Sequence, residues 1–381
     1  MRATKKKILL LVESSTSYGR DILQGISQYA TERNHWWFNI EPRGISEGAS
    51  ALKRWHGDGI ISRVVDRKSH VSIRRSGIPF VELLYNNHSE IRCSDKAIAA
   101  MAADYFLQLG FKNFAFFSFG GTGWIQDRKK AFALECKRLN LQCSLFNLPE
   151  SDLDVSPEPA WNDNYEKDFI PWLTSLPLPC AVLTANDHQA IFLMNYCREL
   201  GIVIPDELAV LGVNNDVHLC NILSPSLSSI DQNAQRIGYE AARLLDRRMK
   251  NPDIPRVPVL TQPSRVITRK STETLVVEDP DILHAIRFIR EFAMQGIRVT
   301  DVLNEVQISN KSLERWFRKL FGHTPEKEII KTKLRHAAEL LTNTTYPTRE
   351  IADMSGFSSE QYFVQVFRRE MGITPSKFRL R

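Results

Sequence analysis

Two sets of side chains in this 381-residue sequence are spaced to do chemistry, and both suit binding rather than bond making. The first set follows short apolar runs. Tyr18 and Arg20 come after residues 8–12, Trp124 and Arg128 after 114–119, Asn186 and Asp187 after 181–184, and Asn214 and Asp216 after 210–213. Asp, Asn and Arg offer planar, paired hydrogen bonds, while Tyr and Trp offer flat apolar faces. A sugar, with hydroxyls on its rim and apolar ring faces, suits such a set. Taken singly, each residue has a plainer reading: an Asn-Asp pair after a strand commonly caps a helix, and Trp124 fits a core.

The second set is basic. Leu313, Trp316, Phe317, Leu320 and Phe321 recur at helical spacing, which leaves Lys311, Arg315 and Arg318 on the opposite face. Ser309 can cap that helix, Gly322 can supply the left-handed residue after its end, and Thr324-Pro325 suits the start of the next. The pattern then repeats. Leu313/Phe363, Phe317/Phe367, Gly322/Gly372, Thr324/Thr374 and Pro325/Pro375 all match at a spacing of 50 residues. Two capped copies of short helix, turn and helix predict a pair of helix-turn-helix motifs, a shape that fits the major groove of double-stranded DNA. One copy alone would read equally well as a plain helical hairpin.

Catalysis finds no support. His188, His218 and several aspartates are present, yet no nucleophile elbow, phosphate loop or metal-ligand spacing accompanies them. Gly120-Gly121-Thr122-Gly123 follows an apolar run but lacks both the GxGxxG and the GK[ST] pattern. No catalytic residue, metal or cofactor is expected. The six cysteines have no CxxC pair and predict packed, reduced thiols. No stretch reaches the roughly 20 apolar residues that span a bilayer, and Glu13 interrupts the first apolar run, so neither a membrane span nor a signal peptide is expected and the cytoplasm is the predicted location.

The elements that must position these residues are legible in the pattern. Apolar runs at 8–12, 59–61, 79–84, 114–119, 181–184 and 208–213 read as buried parallel strands, and amphipathic stretches at 20–33, 95–109, 125–139, 188–200 and 233–249 as the helices between them. The expected fold is an α/β bilobed, doubly wound domain over residues 1–272, a linker at 273–281, and an all-α domain over 282–381. Net charge supports the division. The chain carries +6, and residues 281–381 hold 17 Lys/Arg against 12 Asp/Glu, a difference of +5. A basic terminal domain is the footprint of a nucleic-acid partner, although a solvated helical surface gives the same figure.

The second copy contains Ile351-Ala352, Gly356-Phe357, Tyr362-Phe363, Phe367, Gly372 and Thr374-Pro375, then Phe378-Arg379. In this it resembles the AraC/XylS family of transcription regulators, whose DNA-binding domain has two helix-turn-helix motifs joined by a long helix, here 326–341. Carried over by position, the resemblance implies that Lys311, Glu314 and Arg315, with Glu360, Gln361 and Gln365, face bases. It assigns Arg318, Arg368 and Arg369 to phosphates. Gln307 stands where the family's turn usually has glycine.

The stretches AVLTANDHQA, GIVIPDELAVLGVNND and LSPSLSSIDQNAQRIGYEAARLL, with Arg269 and Ser271-Thr272, resemble the periplasmic-binding-protein-like effector domain of LacI/GalR regulators. There the Asn-Asp pair, the arginine opening the mid-domain helix and the GxD loop contact ligand, which corresponds to Asn186, Asp187, Arg128 and Asn214; Asn214 replaces the usual aspartate. The same resemblance puts the strands joining the lobes near Asp95, Asp231 and Val266. A transport binding protein would share this fold but not the tandem DNA reader. The order of the two parts, together with Ser17-Tyr18-Gly19-Arg20, resembles xylose-responsive regulators and makes xylose the first sugar effector to expect. The resemblance further implies a homodimer that recruits RNA polymerase as an activator of pentose catabolism genes. A repressor of the same architecture, or one answering to another small molecule, is the alternative.

Overall fold

A run of apolar residues with no polar alternation cannot leave a face in water, and Ile8, Leu9, Leu10 and Leu11 are fully buried in strand β1 (Lys6–Leu11). The computed structural model describes residues 5–33, 36–41, 52–53, 55–64, 67–84, 89–120, 123–148, 165–274 and 279–379. The chain divides into two units, 1–274 and 275–381.

In the first unit β1 lies between β2 (Trp36–Ile40) and β3 (Gly59–Ser62), with β4 (Phe80–Glu82) beyond β3, all parallel. Helices α1 (Ser17–Arg33) and α2 (Arg67–Arg75) connect β1 to β2 and β3 to β4 in this lobe. Strand β5 (Ile91–Cys93) then leads across to a second lobe containing α3 (Asp95–Gln108), β6 (Asn113–Phe117), α4 (Gly123–Arg138), β7 (Gln142–Leu145), α5 (Glu166–Thr174), β8 (Cys180–Thr184), α6 (Asp187–Glu199), β9 (Leu208–Val213), α7 (Val217–Ile222) and β10 (Ser228–Asp231). The chain returns through α8 (Ala234–Lys250) and β11 (Val259–Thr261), which pairs with β5, and crosses a third time to β12 (Arg265–Ile267). The second sheet runs β12-β10-β9-β8-β6-β7, antiparallel only at β12.

Rings fill the second lobe. Phe117 lies 5.0 Å from Phe169, 5.5 Å from Phe146 and 5.9 Å from Phe119, centroid to centroid. Five of the six free cysteines are buried and behave as small apolar side chains.

Three crossings join the lobes. Two fall at the expected Asp95 and Asp231. The third, expected near Val266, passes through residues 262–264, just before Val266 pairs with Ile230 inside the second sheet. The strands that the apolar pattern did not reveal, β2, β5, β7, β10, β11 and β12, are three to five residues long, too short for a period to register.

The expected linker 273–281 is partly structured. Thr274 hydrogen-bonds Asp206 at 3.0 Å, and Asp279 caps the next helix by accepting from the N–H groups of Asp281 and Ile282. Residues 275–278 lie outside the described residues.

The second unit is helical: α9 (Pro280–Phe292), α10 (Val299–Glu305), α11 (Asn310–Phe321), α12 (Pro325–Asn343), α13 (Thr348–Met354), α14 (Glu360–Met371) and α15 (Pro375–Arg379). It has two small cores. Leu313 and Phe317 of α11 pack with Ile286, Ile289 and Val302, and Phe363 and Phe367 of α14 pack with Ile351, Ala352 and Phe357. Helix α12 belongs to both, giving Ile329 to the first and Leu334, Ala337 and Leu341 to the second.

The two turns differ. Gly356 adopts φ 71°, but across the repeat its counterpart is Val306, not Gln307. Val306 is buried with φ −116° and ψ 141°, so the first turn is built from extended backbone and needs no glycine.

Helices α1 and α8 meet with almost no space between them. A Cβ at Gly238 would lie 2.0 Å from the Ile22 carbonyl oxygen, and one at Gly25 1.9 Å from that of Gln235. Gly238→Ala is therefore expected to destabilise the first unit by about 1–3 kcal/mol through overpacking. Urea unfolding should show this as a lower midpoint. An unchanged midpoint would mean the helices can separate without cost.

Candidate ligand cleft and nucleic-acid interface

The carboxyl ends of both sheets face a cleft between the lobes of the first unit, about 960 Å³ including its open mouth. Open α/β sheets bind ligands at this end. Tyr18, Trp124, Arg128, Asn186, Asp187, Asn214 and Asp216 all line it. Arg20 does not: it is exposed, and its guanidinium is held by the carbonyls of Ser14 and Ser15 at 2.9 and 3.0 Å, so it braces the loop after β1 from outside.

The aromatic residues come from opposite lobes, each backed by a cation. The Arg63 guanidinium lies 5.1 Å from the Tyr18 ring centre, and that of Arg128 5.3 Å from Trp124. Burial pushes the Tyr18 hydroxyl up to about 12, so it stays protonated as a donor. The buried indole N–H of Trp124 has no partner among the described residues. An unanswered donor in a cleft wall awaits an acceptor.

Arg128 is 5% exposed. It donates to Asp95 Oδ1 at 3.0 Å, Ala185 O at 2.5 Å and Gln232 Oε1 at 3.3 Å, and Gln232 in turn donates to Asn214 Oδ1. Arg92 reaches the other oxygen of Asp95 at 2.9 Å and Asp127 at 3.3 Å, while Arg63 pairs with Glu13. Every arginine of the cleft thus meets a carboxylate within the protein.

Asn186 is indeed a helix cap: its Oδ1 accepts from the Gln189 N–H at 3.0 Å. That bond uses the oxygen and leaves the amide NH₂. Asp187 has neither oxygen to spare, since Oδ1 accepts from Ser229 Oγ at 2.5 Å and Oδ2 from the Asp216 N–H at 2.7 Å. Its carboxyl therefore holds the loop after β9, and a Cβ at Gly212 would come within 2.2 Å of it.

Residue typing missed Arg63, Arg92, Asp127 and Gln232. The rule about carboxyl strand ends would have found Arg63, just after β3. Arg92 and Gln232 sit at lobe crossings, which only the topology reveals.

In the second unit the helices α11 and α14 repeat down to single hydrogen bonds. Ser309 and Ser359 accept from Ser312 N–H and Tyr362 N–H, each at 3.2 Å, and Gly322 and Gly372 donate to the Arg318 and Arg368 carbonyls, each at 3.0 Å. At the spacing of 50 residues Lys311, Arg315 and Arg318 superpose in sequence on Gln361, Gln365 and Arg368, and all six are exposed. Glu314 is half-buried, Glu360 is exposed, and Arg369 is exposed but bonded to Glu370 at 3.0 Å. Among the described residues no helix is long and apolar enough to cross a membrane.

Comparison with known proteins follows this division. Residues 103–272 match the periplasmic binding protein-like domain family, and residues 302–381 a helix-turn-helix domain family. The chain is 28% identical over 390 residues to the xylose operon regulatory protein of Escherichia coli, covering 100% of this chain and 98% of that protein. It is 35% identical over 291 residues to the HTH-type transcriptional repressor PurR of Histophilus somni, covering 72% of this chain and 84% of the relative. The solved structure of a xylose-binding transcription activator has a TM-score of 0.71 at 28% identity, covering 100% of this chain and 99% of that one.

Burial raises the Asp187 carboxyl to about 7. The folded protein then holds a proton there that the unfolded chain releases near its ordinary value of 3.8, so this group's contribution to stability is complete below about pH 4 and is lost as pH rises through about 7. Asp187→Asn should flatten that fall, read as a smaller drop in Tm between pH 5 and pH 8 than the wild type shows. An unchanged drop would place the responsible group elsewhere.

Proposed function

Because the chain belongs to the AraC/XylS family of DNA-binding transcription regulators and carries a LacI/GalR-like sensor domain, we propose that a neutral sugar, D-xylose first among pentoses, binds in its cleft and controls its action on DNA. The carrying observation is the neutralised cleft: Tyr18 and Trp124 face it from opposite lobes, and each lining arginine already has its carboxylate. A sugar phosphate or sugar acid would need a cation to spare. An uncharged ring with hydroxyls asks only for flat faces and hydrogen bonds, which the Trp124 indole, the Asn186 amide, Asn214, Asp216 and the remaining Arg128 N–H groups can supply.

In this reading residues 1–272 sense, 273–281 link and 282–381 read DNA. The ligand favours the closed lobes only to the extent that it binds them better than the open ones. Lys311, Glu314 and Arg315 of α11, with Glu360, Gln361 and Gln365 of α14, meet base edges. Arg318, Arg368 and Arg369 meet phosphates, Arg369 less freely because Glu370 already holds it. The chain works in the cytoplasm as a homodimer that recruits RNA polymerase to pentose genes, binding its ligand without turning it over.

Titration calorimetry should find saturable binding of D-xylose, weakened roughly tenfold or more in Trp124→Ala and in Arg128→Ala. Arg20→Ala should retain most of it. If D-xylose, other pentoses and hexoses all fail to bind folded protein, the sugar reading is wrong.

On a duplex selected from a random-sequence pool, Arg368→Ala should weaken binding to all sequences and reduce the salt slope by about 1. Gln361→Ala should instead relax preference at particular base pairs, by about 1–3 kcal/mol. If both variants behaved alike in a competition gel shift, the division between phosphate and base contacts would fail.

A further inference from the structure

The backbone leaving β9 is held in a conformation that non-glycine residues avoid. Asn214 and Asn215 have φ of 117° and 54° in succession, a combination that survives only where its surroundings enforce it. Three bonds from the core do so: Asn214 N–H to Ile230 O at 3.0 Å, Asn215 N–H to Ser229 Oγ at 2.9 Å, and Asp216 N–H to Asp187 at 2.7 Å. The loop has two sides. Asn214 and Asp216 line the cleft, whereas the Asn215 side chain accepts from Arg269 Nη2 at 2.9 Å.

Arg269 does not line the cleft. Its other bonds fasten it to the same corner of the lobe, through Nε to Asn221 at the end of α7 at 2.9 Å and through Nη1 to Leu227 O at 2.9 Å. It also opens the short 3₁₀ turn Lys270–Thr272, where Ser271 donates to Val210 O at 2.6 Å and accepts from Ser228 N–H at 2.8 Å. From there the chain runs on toward the DNA-binding unit, whose first described helix begins at Pro280. Arg269 therefore holds the strained loop through its guanidinium, while its own backbone carries the start of the connecting segment.

We propose that Arg269 is the positioning residue that couples occupancy of the cleft to the segment leading into the DNA-binding unit. The inference rests on the sugar reading of the cleft. A ligand that draws on Asn214 and Asp216 shifts the loop, Asn215 moves with it, and the guanidinium transmits the displacement to residues 270–274. A merely anchoring Arg269 would hold the tail without making it respond. Coupling between sites is reciprocal, so DNA must change sugar affinity by the same factor that sugar changes DNA affinity.

The test uses the full chain, D-xylose and a duplex selected by the wild type from a random-sequence pool in the presence of D-xylose. Calorimetry gives D-xylose affinity, and fluorescence anisotropy gives DNA affinity with and without saturating D-xylose. The wild type should show a ratio of roughly 5- to 150-fold. Two variants break the contact from its two ends. Arg269→Ala removes the donor; Asn215→Gly removes the acceptor and suits the positive φ. Both should bind D-xylose about as the wild type does, which also reports a folded sensor, while the ratio falls toward one. The double variant should be no worse than either single one.

A wild-type ratio retained in Asn215→Gly would overturn the proposal. So would loss of D-xylose binding in that variant, since the contact would then belong to the cleft's own framework. A wild type that binds D-xylose without any change in DNA affinity removes the coupling and leaves the sugar site standing. A wild type that binds no D-xylose defeats the sugar reading, and this inference with it.

Discussion

An arginine side chain cannot shed its proton, so one that is 5% exposed must find acceptors wherever the fold can bring them. Arg128 collects them from three separate stretches: Asp95 at the first crossing, Ala185 at the end of β8 and Gln232 at the second crossing. Removing one partner of such a buried pair typically costs about 3–5 kcal/mol, because the other charge is left unanswered. The crossings, the strand end and the helix that carries Arg128 are therefore held in one arrangement. That arrangement puts Trp124 on the cleft wall and, through Gln232, orients Asn214.

The same network limits what the cleft can recognise. Asp95 is shared between Arg128 and Arg92, and Asp127 adds a second carboxylate to Arg92. Charge is spent inside the protein, which leaves ring faces and donors such as the Trp124 indole on the cleft wall. The DNA-binding unit works under a different constraint. Each of its cores is small, and the long helix α12 contributes apolar residues to both, so neither motif is closed without it.

The sequence was most informative where its signals were local. Ser309, Gly322 and Thr324 act on the backbone within a few residues of themselves, and their counterparts at a spacing of 50 do the same. Caps and stops of this kind can be read without knowing what packs where. The unbroken apolar strands β1, β8 and β9 were legible for a related reason, since burial on both faces removes any need for polar alternation. The strand-end rule also brought Tyr18, Trp124, Arg128, Asn186 and Asn214 to notice, and all of them line the cleft.

What the sequence could not express was direction and distance. Arg20 and Arg63 are both arginines after first-lobe strands, yet one turns out to the Ser14 and Ser15 carbonyls and the other lines the cleft opposite Glu13. Asp187 and Asn186 are adjacent, but the aspartate spends both oxygens on Ser229 and Asp216, which lie 42 and 29 residues further along the chain. Gln232 and Arg269 gain their partners from residues far away in the chain. The sequence alone determined the fold class, the two-part organisation and the paired capped helices, because periodicity, caps and repeats are short-range. The tertiary structure decided which polar groups remain available to a ligand, because that depends on which distant side chains have already claimed the rest.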